Sequence, residues 1–325
     1  MKIACCGDII HQTSVNSDNI GKKIISPGGT ICNASSILTK YGNSVDLYGK
    51  IGTDYKGEEL QDMLIKDNIN LEHVLCDDTF MTTRSYIINN VDNNTQSVKI
   101  EYDESDSADT LENMSYDSDY NCILLDGNYK EESMTLIHNN PNASSIMRAN
   151  EVTYDTYILS NYADVVFCSE KFALEVAGKK RCDDWYDYKR LFRNIKSGFD
   201  FVDTLVIILD NNGYLCEMGD EIIEMPPYDS EKKIANSDIN NDIFIGAFIH
   251  AYANKKGFYK SLEFANIALS LSNTLPDGKY SCPKLETVLE IYNKLYVENE
   301  YNIVDDRIKR LVFAPKYDIN DDDID

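Results

Sequence analysis

Residues 236–248 read NSDINNDIFIGAF, and they place one carboxylate, Asp242, at the start of a long apolar pattern with helical spacing. Gly246 and Ala247 follow inside this pattern, and small residues there allow a neighbouring element to pack closely. By itself, Asp242 is interpreted as a first-turn carboxylate that the helix dipole stabilises. The stretch therefore decides the fold only together with a second stretch near the N-terminus.

The second stretch reads PGGTICNAS at residues 27–35. Gly28 and Gly29 come directly before a predicted helix, where a backbone without side chains lets a ligand approach and where amide N–H groups converge. Asn33 lies one turn into that helix, and its amide would both donate hydrogen bonds to a polyol and accept them. A Gly-Gly pair before a helix is, taken alone, more often only a tight turn.

Short β-branched runs alternate with helical patterns along most of the chain. The predicted strands are residues 2–6, 45–51, 122–125, 165–168 and 205–209, and the predicted helices are residues 30–41, 55–66, 171–177, 185–195, 243–253, 259–271 and 284–294. This alternation predicts a three-layer α/β fold, in which a doubly wound, mostly parallel sheet has helices on both faces. Residues 82–89 and 96–102, joined by a turn at 92–94, form a predicted hairpin outside this rhythm, and we expect it to lie over one edge.

The charge of the chain excludes several classes of partner. The 325 residues carry 55 acidic and 31 basic side chains, a formal net charge of −24. Such a surface repels phosphate backbones and anionic lipids, so we expect neither a nucleic acid nor a membrane as partner. No apolar run approaches the roughly 20 residues of a spanning helix, and the N-terminus lacks a signal-peptide pattern.

Cysteine and histidine spacing indicates a reduced protein without an assigned metal site. The nine cysteines include no C-x-x-C pair, which predicts free thiols and a cytoplasmic location. The four histidines show no i,i+4 pairing, so the identity of any metal ligands stays unknown at this stage.

The order and spacing of the two stretches resemble the ribokinase/PfkB family of carbohydrate kinases, and the resemblance covers nearly the whole chain. The family's N-terminal signature is matched at Gly29, Asn33, Ser35, Gly42 and Gly52, with a departure at Ile31. Residues 50–57 (KIGTDYKG) look like the family's vGdDxxG turn, residues 242–248 like its catalytic helix, and residues 259–283 like its closing segment beside the adenine pocket. The resemblance implies one ribokinase-like α/β domain over residues 1–325, with a small β lid contributed by about residues 12–25 and 79–103.

The same resemblance implies a reaction. In that family, the γ-phosphoryl group of ATP passes to a hydroxymethyl group of a sugar or nucleoside, and an aspartate takes the hydroxyl proton. The family's motifs assign the base to Asp242, sugar contacts to Gly28, Gly29 and Asn33, and a place beside the nucleotide to Asn266. They imply ATP and Mg²⁺ as cofactors and a sugar or nucleoside as the small-molecule partner. Because exposed hairpins pair edge to edge unless blunted, a homodimer through the lid is a further hypothesis.

The glycine-rich anion hole of the family is altered in this chain. Ile239, Asn240 and Asn241 occupy the positions of its Gly-Ala-Gly turn. Asn tolerates positive φ better than other non-glycine residues, so Asn241 would keep part of the turn, whereas the β-branched Ile239 would crowd the phosphates. Losing one donor of this kind costs about 2.7–4 kcal/mol of barrier in other enzymes.

Three further positions depart from the family's pattern. A T-x-G at a strand end, which meets the nucleotide phosphates, is here Ile208-Leu209-Asp210. Ser169 and Phe172 replace the Asn and Glu of a motif tied to magnesium, so no carboxylate remains at that place. Gln12 replaces the aspartate that grips the sugar, and we expect it to contact a changed acceptor.

Two hypotheses therefore stay open. The first is a divergent sugar or nucleoside kinase with Asp242 as base, and the alternative is a catalytically inactive protein that uses the kinase fold as a ligand sensor or interaction module. The tail at residues 318–325 carries five aspartates and is interpreted as a solvated, frayed end.

Overall fold

The computed structural model describes residues 1–90, 95–103, 110–111, 114–199, 204–209, 213–219, 221–228, 237–272 and 282–296. The acidic tail at 318–325, the predicted turn at 92–94 and Asp210 lie outside these described residues.

The elements follow the predicted alternation of strands and helices. The strands are β1 (Lys2–Cys6), β2 (Ile10–Asn16), β3 (Asn19–Gly28), β4 (Ser44–Gly52), β5 (Val74–Asp77), β6 (Arg84–Asn90), β7 (Thr95–Glu101), β8 (Cys122–Leu125), β9 (Ser144–Ala149), β10 (Val165–Ser169), β11 (Thr204–Leu209), β12 (Gly213–Met218) and β13 (Glu221–Met225). The helices are α1 (Thr30–Lys40), α2 (Tyr55–Lys66), α3 (Lys130–Asn139), α4 (Tyr154–Ser160), α5 (Glu170–Val176), α6 (Trp185–Gly198), α7 (Ser237–Ala253), α8 (Phe258–Ser272) and α9 (Leu285–Tyr296).

A large sheet forms the middle layer, with the strand order β13-β12-β11-β10-β9-β8-β1-β4-β5. The strands from β11 to β5 in this order run parallel, and β12 and β13 add an antiparallel edge. Along β1, Ile3 and Cys5 belong to one buried cluster and Ala4 and Cys6 to another. Strands that are buried on both faces need such continuous apolar runs. The predicted three-layer α/β architecture is therefore confirmed.

The two clusters divide the helices between the faces of the sheet. Residues of α1, α2, α7, α8 and α9 belong to the first cluster, and residues of α3, α4, α5 and α6 belong to the second. Every cysteine of the chain is a free thiol. A search of the described helices finds none that is long and apolar enough to cross a membrane.

A second sheet of four strands has the order β3-β2-β6-β7. The predicted hairpin supplies β6 and β7, and β6 pairs in parallel with β2, so that His11 lies opposite Arg84. This sheet follows β1 directly and leads through Gly28 into α1. The chain thus brings the second sheet next to the carboxyl end of β1.

Several elements were not individually predicted from the sequence, and their composition explains why. Strand β9 reads SSIMRA and carries an arginine in place of an apolar residue. Helix α3 buries only Glu132, Ser133 and Leu136, so its apolar pattern is too sparse to identify.

Candidate active site

A cavity of about 420 Å³ opens at the carboxyl ends of the parallel strands. Its floor includes Asp8 and Asp126, which follow β1 and β8, and Ser169 at the end of β10. The second sheet contributes Ile87 and Val98 to the wall. Ligand sites of open α/β sheets lie outside the carboxyl ends of the strands. The cavity therefore occupies the place where this architecture binds its ligands.

Asp242 and Asn33 meet at the edge of this cavity, although 209 residues separate them in the chain. The Asn33 Nδ2 donates a hydrogen bond of 2.8 Å to the Asp242 Oδ2, and the two side chains are only 7% and 4% exposed. Helices α1 and α7 pack closely here. Gly246 allows this, because a Cβ at its position would lie only 3.3 Å from the Ala34 carbonyl oxygen. The amide thus holds one oxygen of a buried carboxylate in a fixed position.

Gly29 is the N-cap of α1 and has a φ of 84°, a conformation that favours glycine. A Cβ at this position would lie 3.0 Å from the Asp8 carbonyl oxygen. Gly28 does not line the cavity but makes room for Gln12, because its own Cβ would approach the Gln12 side chain to 2.8 Å. One cavity is therefore lined by Gln12, Gly29, Asn33 and Asp242. Gly28 lies outside the lining and leaves space for the Gln12 side chain.

Asp126 is a cavity carboxylate that sequence reasoning missed. It accepts hydrogen bonds from the Asp8 N–H at 2.9 Å and from the Asn128 N–H and Nδ2, each at 3.1 Å. Burial raises the pKa of Asp126 to about 6, although these hydrogen bonds oppose the shift. A Cβ on Gly7 would overlap the Asp126 carboxylate at 2.2 Å, so the glycine is required at that position. The available signal was the run Asp126-Gly127-Asn128 directly after a strand.

Arg148 was also missed, because no motif of the sequence contains it. It lies on β9, lines the cavity and is 2% exposed. Its Nε and Nη1 are buried and have no hydrogen-bond partner. The cavity thus combines four carboxylates (Asp8, Asp126, Glu151 and Asp242) with two cations (Arg148 and Lys171).

Two residues that the sequence placed on the nucleotide side are held by contacts within the fold. Ile208 is fully buried in the core between β10 and β12, opposite Ser169 and Tyr214. The Asn266 Nδ2 donates to the Pro226 carbonyl at 2.9 Å, and its Oδ1 accepts from the Tyr228 N–H at 3.3 Å. Neither residue lines the cavity.

The altered anion-hole segment is helical, because α7 already begins at Ser237. Asn241 is 3% exposed, and its Nδ2 has no hydrogen-bond partner. The side chains of Ile239 and Asn240 lie outside the described part of the structure. Ser169 caps α5 by accepting a hydrogen bond from the Phe172 N–H at 3.1 Å.

A second polar cluster lies towards the amino ends of the strands, away from the cavity. Single ligand atoms of Asp46, His73 and Asp117 lie within 4.8 Å of one another, the one such group among the described residues. The Lys2 Nζ lies 2.8 Å from Asp117 and 3.4 Å from Asp46, so a cation of the chain already pairs with both carboxylates. We interpret this cluster as an ion-pair network.

Solved structures of several kinases have a similar fold. A putative ribokinase from Agrobacterium tumefaciens matches with a TM-score of 0.75 at 15% identity, covering 90% of this chain and 98% of that one. A ribokinase from Arabidopsis thaliana, solved with ribose and ATP, matches with a TM-score of 0.70 at 14% identity, covering 89% and 98%. A nucleoside kinase from Methanocaldococcus jannaschii matches with a TM-score of 0.70 at 16% identity, covering 90% and 98%. The fold is therefore that of the ribokinase-like kinases.

The sequence itself identifies the family within this fold. The model of the pfkB family of carbohydrate kinases matches residues 2–284. The chain belongs to that family. The resemblance drawn from the two glycine-bearing stretches is thereby confirmed.

Proposed function

We propose that this chain transfers the γ-phosphoryl group of ATP to a hydroxyl of a sugar or nucleoside, with Asp242 as general base. The observation that supports this most strongly is the buried hydrogen bond of 2.8 Å between Asn33 and Asp242 at the edge of the cavity. The acceptor hydroxyl loses its proton to the Asp242 carboxylate while its oxygen bonds to the γ-phosphorus, and the bond from that phosphorus to the β-phosphate oxygen breaks to release ADP. The Asn33 side-chain amide donates to Asp242 Oδ2 and so orients the base.

The acceptor side of the cavity suits a polyol. Gln12 is 7% exposed, lines the cavity and offers both a donor and an acceptor. Asp126, placed by the Asp8 and Asn128 amides, offers carboxylate oxygens that accept hydrogen bonds from hydroxyl groups. These groups, not a family rule, are the basis for an acceptor rich in hydroxyls.

The residues of the cavity also suit a nucleoside triphosphate with Mg²⁺. Arg148 and Lys171 are the cationic side chains of the cavity, and a helix N-terminus favours anions. Within the described part of the chain, no three ligand atoms of cavity carboxylates come together as a preformed cage. Mg²⁺ is commonly held by one or two carboxylates plus substrate phosphates, and when bound it neutralises phosphate charge.

The test is a product assay with a panel of acceptors. The protein is incubated with ATP, Mg²⁺ and pentoses, hexoses or nucleosides, and phosphorylated products are detected by mass spectrometry. We expect Asp242→Asn to lower turnover by about 10²–10⁴-fold, because the isosteric amide keeps the Asn33 contact but accepts no proton. Asp62→Asn, on the exposed face of α2, is the matched control and should not change turnover. Equal turnover in Asp242→Asn, or no product with any acceptor, contradicts the proposal.

A second candidate function has its own supporting observation. Ile208 and Phe172, at positions that face phosphate and magnesium in the family's motifs, are apolar and buried. They favour a protein that binds a small molecule without turnover, as a ligand sensor or interaction module. Calorimetry with ATP, with and without Mg²⁺, separates the candidates: low-micromolar binding of ATP counts against this one in its simplest form.

The homodimer and the cytoplasmic location stay predictions. Strands β3 and β7 are the edges of the second sheet and are available for pairing between copies. The apolar side chains of Ile87, Val98 and Ile100 in this sheet line the cavity. Light scattering on the full chain measures the oligomeric state.

A further inference from the structure

Arg148 carries the least compensated charge of the cavity. It is 2% exposed, yet neither its Nε nor its Nη1 has a hydrogen-bond partner. No carboxylate of the described residues lies within ion-pair distance of it. Burying an ionised group without a partner is costly, and arginine stays charged at any physiological pH. Unmet groups of this kind cluster at ligand sites, where a ligand completes them.

Arg148 lies on the middle one of three neighbouring strands whose carboxyl ends face the cavity. Its strand β9 is flanked by β8, which ends at Asp126, and by β10, which ends at Ser169. Arg148 is paired in register with Phe167, whose ring lies 6.0 Å from that of Phe244 on α7. Alternation along β9 puts Arg148 on the same face as Ile146, which packs in the cluster of α1 and α7. The guanidinium therefore lies on the α7 side of the sheet and faces the same cavity as Asp242.

We propose that Arg148 binds a phosphoryl group in this cavity and takes over part of the role of the altered anion hole. The fork of a guanidinium matches two phosphate oxygens, and its N–H groups donate to them. The start of α7 adds a partial positive charge on the same side of the sheet. The choice of a phosphoryl group over another anion rests on the proposed function, since Asp242 would deprotonate the hydroxyl that attacks phosphorus.

The remaining charges of the cavity repel an anion, so they make its binding depend on Arg148. Four carboxylates against two cations leave a formal charge of −2 among the lining side chains. Lys171 is exposed, whereas Arg148 is buried, so Arg148 is the cation that a bound anion contacts away from water. Binding of a phosphoryl group in this cavity therefore depends on Arg148 more than it would if a glycine-rich anion hole supplied backbone N–H donors.

The experiment measures binding, so it does not depend on turnover. Calorimetry with the full chain uses ATP, inorganic phosphate, adenosine and ribose 5-phosphate, and compares the wild type with Arg148→Met and Arg148→Lys. Arg193→Met, an exposed arginine on α6, is the matched control. We expect Arg148→Met to weaken ATP binding at least about tenfold, with Arg148→Lys intermediate and adenosine unchanged.

The two sources of the phosphoryl group give different results. Weakened ATP binding assigns it to the nucleotide, and weakened binding of ribose 5-phosphate alone assigns it to the acceptor; either supports the Arg148 site. The site is overturned if the wild type binds no phosphate probe, or if Arg148→Met leaves every dissociation constant within about twofold of the wild type. A kinase that binds ATP equally well in both forms would thus keep the proposed function and lose this inference.

Thermal unfolding without ligand provides a second readout. If Arg148 awaits a ligand, Arg148→Met removes a buried charge and leaves the melting temperature unchanged or higher, because a hydrophobic side chain needs no partner. If Arg148 instead holds the fold together, the variant melts at a clearly lower temperature, and the proposal is wrong. Arg193→Met should not shift the transition.

Discussion

The residues proposed to bind the acceptor (the acceptor half of the site) and the residues that the sequence placed beside the nucleotide phosphates (the phosphate half) differ in how their side chains are used. On the acceptor half, Asn33, Asp242 and Asp126 are buried polar groups, each held by a hydrogen bond and each lining the cavity. On the phosphate half, Ile208 belongs to the core and Asn266 bonds to the backbone of residues 226 and 228. The acceptor half therefore keeps polar side chains in the cavity, whereas these two residues of the phosphate half serve the packing of the fold.

The largest loss of unfolding free energy is expected from a substitution of Asn33, in the buried part of the acceptor half. Asn33→Asp puts a second carboxylate against Asp242 at hydrogen-bond distance, and breaking a buried polar pair in this way costs about 3–5 kcal/mol. One of the two carboxyl groups then has a strongly raised pKa. The loss of unfolding free energy is therefore greatest at pH 8, and it shrinks on acidification because the pair takes up a proton. Urea unfolding at pH 8 and pH 5 measures this.

The matched control for this variant is Asn194→Asp, on the exposed face of α6. It should change the unfolding free energy by no more than about 0.5 kcal/mol at either pH. If Asn33→Asp behaves like this control, the hydrogen bond between Asn33 and Asp242 does not hold the acceptor half together.

On the phosphate half, Ile208→Ala tests whether the residue serves the core alone. The side chain is fully buried, so the cavity left behind should cost about 2–5 kcal/mol of unfolding free energy, and Ile208→Val about 0.5–1.5 kcal/mol. Affinity for ATP should stay the same in the folded variants. A fall in ATP affinity with little loss of stability would reverse the assignment and place Ile208 in the nucleotide site.

Asp126 should make the acceptor half sensitive to pH. Its pKa in the folded protein is about 6, above the ordinary value of 3.8, because burial disfavours the charged form. The folded state therefore holds the proton more tightly, and this group lowers stability as the pH rises from about 4 to 6. Asp126→Asn should gain roughly 1–3 kcal/mol over the wild type above pH 6 and little below pH 4, as measured by denaturant unfolding across this range. A difference that does not vary with pH would show that the Asp126 carboxyl is not shifted.

The smallest change in stability is expected at two glycines, one at each end of α1. Gly29 and Gly42 have φ values of 84° and 80°, so an alanine costs about 1–2 kcal/mol of backbone strain at either position. A Cβ on Gly29 would also press on the Asp8 carbonyl, whereas nothing lies within 4 Å of one on Gly42. Gly29→Ala should therefore be the less stable of the two in guanidinium unfolding, and only it should weaken acceptor binding. Equal effects would show that Gly29 serves the turn and not the cavity.

Motifs of the sequence predicted residues that line the cavity of the candidate site. Gly29, Asn33 and Asp242 stand in the two short stretches and Gln12 lies ahead of them, and the structure brings all four to one cavity. The alternation of strands and helices was sufficient for the large sheet, because strands buried on both faces are recognisable as apolar runs.

The remaining groups depend on strand order, which no local pattern specifies. Arg148 interrupts the apolar run of β9 and becomes a cavity residue only because β9 lies between β8 and β10. Asp46, His73 and Asp117 are far apart in sequence, so spacing rules for metal ligands did not connect them. The hydrogen bonds of Asn266 to the backbone likewise follow from tertiary packing and leave no mark on the sequence around it.

The contact between α1 and α7 at Gly246 has a practical consequence for engineering. A methyl group there would lie 3.2 Å from the Ile37 Cβ and 3.3 Å from the Ala34 carbonyl oxygen, so α7 would have to retreat by a few tenths of an ångström. A series of larger apolar residues at position 246 would then act as a graded spacer beneath Asp242, the proposed general base. It would vary the distance between the carboxylate and its reactant without altering any polar group of the site.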